Sequence, residues 1–104
     1  VVSERGGDMK MLLVIYAEAA DENITDAFKK AGYKAYTKMH GATGEGQESE
    51  PKLGTHFWPG RNNTLFFAVP DEDIHRLCEF VKKLKEEQPR AGLRAFSFPL
   101  EECI

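Results

Sequence analysis

Two short, uninterrupted apolar runs constrain this chain more than any other feature. Met11-Leu12-Leu13-Val14-Ile15-Tyr16-Ala17 and Thr64-Leu65-Phe66-Phe67-Ala68-Val69 are rich in strand formers, so each reads as a strand covered on at least one face. Both fall far short of the roughly 20 residues that span a bilayer. Each leads into a helix. After the first, Asp21 is placed to cap, Glu22 sits in the opening turn, and Ile24, Ala27, Phe28 and Ala31 keep the spacing of one buried face, with Lys29, Lys30 and Gly32 as stop signals. After the second, Pro70-Asp71-Glu72-Asp73 opens a helix with acidic residues at the positive end of its dipole. Its buried face is Ile74, Leu77, Cys78, Val81 and Leu84, its lysines 82, 83 and 85 form a solvated side, and Pro89 ends it.

Two further strands complete the pattern: Tyr33 to His40, where aromatic, small and charged residues alternate, and Leu93 to Phe98, closed by Pro99. Between the second and third strands, His40 to Asn63 runs for about two dozen residues with five glycines and two prolines, against a usual connection of ~4–6 residues. Strand, helix, strand, long loop, strand, helix, strand is the split βαβ order of an α+β, ferredoxin-like sandwich: a four-stranded antiparallel sheet with both helices on one face. The aromatic third strand leaves too much apolar surface on the other face for a small monomer. An oligomer packed through the sheets is expected.

With 104 residues the chain makes a single domain, covering 9–104, and Val1 to Asp8 reads as a disordered or non-native tail. Acidic residues outnumber basic ones, 17 to 14, so no general positive field favours nucleic acid. Cys78 and Cys103 form no Cys-x-x-Cys pair; Cys78 reads as a small buried hydrophobe and Cys103 as a free tail thiol. With no signal peptide, a cytoplasmic protein is expected.

Val69-Pro70-Asp71-Glu72-Asp73-Ile74, Phe98-Pro99-Leu100-Glu101-Glu102 and Gly44-Glu45-Gly46-Gln47 carry a resemblance. They are similar to the second-helix opening, the fourth-strand ending and the T-loop base of the PII signal-transduction family, over roughly Lys10 to Cys103. The resemblance implies a homotrimer, adenine nucleotides in clefts between subunits, and a loop over 40–63 that meets a protein target. It also implies site residues. Gly44 and Gly46 would offer backbone N–H groups, Gln47 stands where the family's 2-oxoglutarate-linked glutamine stands, and Arg94 falls at the phosphate-binding lysine. Arg90 and Gly92 lie in the basic loop before it. Departures from the family's pattern are visible too. The glycine-rich phosphate loop is reduced to Gln88-Pro89-Arg90-Ala91-Gly92-Leu93-Arg94, and the chain ends at Ile104, before the family's C-terminal arginines. It resembles the divergent PII-like class, whose members bind other nucleotides, small anions or metals.

Two more readings concern the loop. Trp58 stacks on a base or seals an interface, and Arg61 offers a planar donor fork to an anion. His40 and His56 flank the loop and, with Glu45, Glu48 or Glu50, make a candidate divalent-metal set, as a trimer of CutA-like architecture would need. His75 reads as surface. No nucleophile elbow, Walker loop or His-Glu-x-x-His is present, so a sensor is expected rather than an enzyme. The alternatives are the metal-binding trimer and a protein-interaction module without a small ligand.

Overall fold

A computed structural model describes residues 8–43 and 61–104. Gly44, Glu45, Gly46, Gln47, Glu48, Glu50, His56 and Trp58, and residues 1–7 of the proposed tail, lie outside them. The elements are β1 (Met9–Ala17), α1 (Asp21–Lys30), β2 (Thr37–Ala42), β3 (Asn62–Pro70), α2 (Asp71–Glu87) and β4 (Arg94–Pro99). Short 3-10 turns, Glu18–Ala20 and Pro89–Ala91, precede α1 and β4. The sheet order is β2-β3-β1-β4 with every neighbouring pair antiparallel, the ferredoxin-like arrangement expected from the element order.

Strand alternation sorts residues onto two faces. Leu12 and Val14 of β1 pair with Phe67 and Leu65 of β3, and all four are almost completely buried beneath the helices. From above, Ile24 and Phe28 of α1 and Leu77, Val81 and Leu84 of α2 close this core. Phe28 is its aromatic hub, with ring centroids 4.8 Å from Phe67 and 5.1 Å from Phe80. The opposite face carries Met11, Leu13 and Ile15, flanked by Phe66, Phe96 and Phe98, and no element of the described residues covers it. Phe96 there is 55% exposed and Met39 54%.

Four local expectations need correction. β2 begins at Thr37, not Tyr33, because α1 ends in a Schellman turn. The Tyr33 N–H donates to the Phe28 carbonyl at 2.8 Å and the Gly32 N–H to Lys29 at 3.0 Å, with Gly32 at φ 98°. Tyr33 and Tyr36 then pack on the aromatic core instead of extending the sheet. β2 also runs past His40 to Ala42, across a bulge between Met39 and Ala42. Ala31 is exposed, since it is the C-cap rather than part of the buried stripe. Finally, Asp21 is the first helical residue and not the cap; Ala20 holds that position and makes no side-chain capping bond. The Asp21 carboxylate is engaged elsewhere.

Candidate functional site

The antiparallel register brings three chain reversals to one end of the sheet. Ala17 at the end of β1 pairs with Asn62 at the start of β3, Ala42 at the end of β2 pairs with the same Asn62, and Arg94 at the start of β4 pairs with Ile15. His40, Arg61, Arg90, Gly92 and Arg94 therefore gather at this end from two separate connections. No hydrogen bond or ion pair joins any two of them among the described residues.

At the base of the long connection, both flanks are fixed. The Glu18 N–H donates to the Arg61 carbonyl at 2.9 Å, and the Gly41 N–H donates to Asn63 Oδ1 at 3.2 Å. Gly41 has φ 69°, and a β-carbon there would sit 3.3 Å from Arg61 Cδ, so the Arg61 side chain lies over bare backbone. Beneath it is a polar cluster not anticipated from the sequence. Tyr16, fully buried, donates its hydroxyl to Asp21 Oδ1 at 2.6 Å, and Lys38 Nζ donates to Asp21 Oδ2 at 2.8 Å. Burial, then the Asp21 carboxylate, push the Tyr16 phenol far above its ordinary range. For Asp21 burial acts upward, but the bonds from Lys38 and Tyr16 outweigh it and hold the carboxyl below its usual value. Asn63, 1% exposed, leaves Nδ2 without a hydrogen-bond partner of normal geometry, although its dipole still favours the charged Asp21. The one signal available was the presence of polar residues within strands, Lys38 as the second residue of β2 and Asn63 as the second of β3.

The second connection, between α2 and β4, is held by the Pro89–Ala91 turn, with Gly92 at φ 66° as its left-handed cap. Arg94 follows as the first residue of β4. It lies on the uncovered face, opposite Ile15, and its Nε is buried with no acceptor. Arg90 instead lines a groove of about 730 Å³ between this turn and the start of α1. Arg90 and Arg94 thus serve different surfaces. His40 is exposed on β2, and among the described residues no group of three His, Cys, Asp or Glu side chains is placed to hold a metal. Cys78 packs against the core but is only half-buried, less than the buried hydrophobe expected, and His75 is exposed on α2, as expected. No helix of the described residues is long and apolar enough to cross a membrane.

A four-stranded βαββαβ sandwich thus carries a long β2–β3 connection with basic residues at the same end of the sheet. Residues 9–104 match the family model described as "Nitrogen regulatory protein P-II", and the chain belongs to that family. It is 31% identical over 96 residues to a nitrogen fixation nifHD region GlnB-like protein 1 of Methanothermococcus thermolithotrophicus, covering 91% of this chain and 90% of that one. Among solved structures it is similar to CPII, a PII-like protein of Thiomonas intermedia K12. The form bound to ADP, AMP and acetate matches with TM-score 0.62 and 25% identity, covering 88% of this chain and 84% of that one. The form bound to ADP, AMP and bicarbonate matches with TM-score 0.62 and 24% identity, covering 88% of each.

Proposed function

We propose that this chain is a regulatory trimer that binds an adenine nucleotide together with a small oxyanion in the clefts between subunits. Nucleotide binding beside the 40–63 segment then changes the surface offered to a protein target, which gives the two-state element a sensor needs. The observation that carries this reading is Arg94. A cation whose Nε is buried without an acceptor costs free energy, and an anion that accepts from it offsets that cost. Its position on the uncovered sheet face, beside apolar surface suited to another subunit, favours a ligand shared between copies. Arg61 and Gly92 would supply further charge and a backbone donor at the same end, with Gly44, Gly46, Gln47 and Trp58 as the candidates from the long connection.

The relatedness to a Thiomonas protein that holds ADP, AMP and a carboxylate supports the ligand class. A shortened phosphate loop with a single glycine favours a nucleotide with fewer phosphates than ATP, because fewer backbone donors can close around a polyphosphate. The role is regulatory, as in the family, and not catalytic. The test is calorimetry with ADP in the presence of bicarbonate, on the wild-type chain and Arg94→Ala. Loss of one charge-assisted contact should weaken binding roughly tenfold or more, with the trimer intact by native mass spectrometry. Unchanged affinity removes Arg94 from the site, and a monomer in native mass spectrometry removes the inter-subunit cleft.

A further inference from the structure

The groove of about 730 Å³ at the α2–β4 turn lies within one chain and does not include Arg94. Its size is that of a small-molecule pocket. Ala17 at the end of β1, Ala20 at the N-cap of α1 and Ala91 give it small apolar side chains, while Asn23, Glu87 and Arg90 add an amide and two opposite charges.

The two charges have an unusual relation. Glu87 and Arg90 are three residues apart, the spacing at which α2 pairs Asp73 with Arg76 and Glu79 with Lys82, each at 3.1 Å. Glu87 and Arg90 do not pair with each other or with any other described residue. The cause is local: the helix ends at Glu87, Gln88 turns out of helical geometry at φ −130° and ψ 68°, and Pro89 starts a new turn. That break leaves an acid and a base unpaired in the lining of one groove. A purely anionic guest is disfavoured by Glu87, a purely cationic one by Arg90, and a neutral hydrocarbon uses neither.

From this we propose that the groove binds a small zwitterion of the α-amino acid class, its carboxylate toward Arg90, its ammonium toward Glu87 and its side chain over the alanines. The proposal goes beyond the nucleotide reading, since it requires neither a trimer nor Arg94.

The experiment is an NMR titration of the full chain with the twenty common L-amino acids. The best binder is then compared with the amine left by removing its carboxylate and the acid left by removing its amino group. Saturable shifts should fall at residues 17–23 and 87–91, and each single-charge analogue should bind roughly tenfold more weakly. Arg90→Gln and Glu87→Gln, both at exposed positions, should each lose amino acid binding by a similar factor while keeping a dispersed spectrum. Arg94→Ala should leave it unchanged, which separates this site from the nucleotide cleft. Absence of saturable shifts with every amino acid, shifts confined to other residues, or equal binding of either single-charge analogue would overturn the proposal.

Discussion

The two faces of the sheet use the same kinds of residue to different ends. On the helical side, Leu12, Val14, Leu65 and Phe67 are sealed beneath α1 and α2; on the other, Phe96 and Phe98 remain 55% and 42% exposed in the single chain. Apolar content therefore says little about what a strand does in this fold. The position of the helices decides which phenylalanines stabilise the chain itself and which are left uncovered, and a substitution on each face should read out in a different experiment.

The largest effect belongs to the covered face. Phe28 touches Phe67, Phe80 and Tyr33, and Phe28→Ala should cost about 3–5 kcal/mol in chemical denaturation, because the rings around it cannot collapse into the space. A loss below about 1 kcal/mol would mean the two faces are not energetically distinct. Phe96→Asp should do the reverse. The chain should still fold, with stability changed by about 1 kcal/mol or less, while native mass spectrometry shows assembly lost. An intact trimer would place the subunit contact elsewhere.

A smaller effect sharpens the comparison at its polar margin, where Asp21 ties Tyr16 to Lys38. The folded state holds the Asp21 carboxyl below its ordinary range, so its contribution is present above the unfolded value of about 3.9 and is lost as pH falls through the lower folded value. Asp21→Asn should reduce stability by roughly 1–2 kcal/mol at pH 7 and flatten the acid limb of the stability profile. Tyr16 acts in the opposite sense. Its raised pKa means that stability declines as pH climbs past about 10. A wild-type profile flat at both extremes would show that the cluster is not coupled to folding.

What the sequence disclosed followed from local physics. Apolar runs at Met11–Ala17 and Thr64–Val69, the acidic opening at Asp71 and the stop at Gly32 are short-range signals, and they placed every strand and helix in order. The errors occurred where distant residues decide. Tyr33 and Tyr36 alternate like a strand, but they are drawn onto Phe28 and Phe67, which are assembled only in the folded chain. Asp21 has the right residue type for a cap, yet its carboxylate is taken by Lys38, seventeen positions away. Arg61, Arg90, Gly92 and Arg94 were recognisable as candidates, and the register gathers them at one end of the sheet. Their division between the groove and the uncovered face depends on strand parity and on the break at Gln88, neither of which a motif encodes.

The fastening of the long connection at Gly41 and Asn63 has an evolutionary consequence. Because the closure is made by the flanks, the ends stay together whatever lies between them. Doubling the length of such a segment adds only about 0.6 kcal/mol of closure entropy. The segment between Ala42 and Asn62 can therefore be lengthened, shortened or rewritten at little expense to the sheet, and a lineage can vary that stretch while inheriting the same scaffold unchanged.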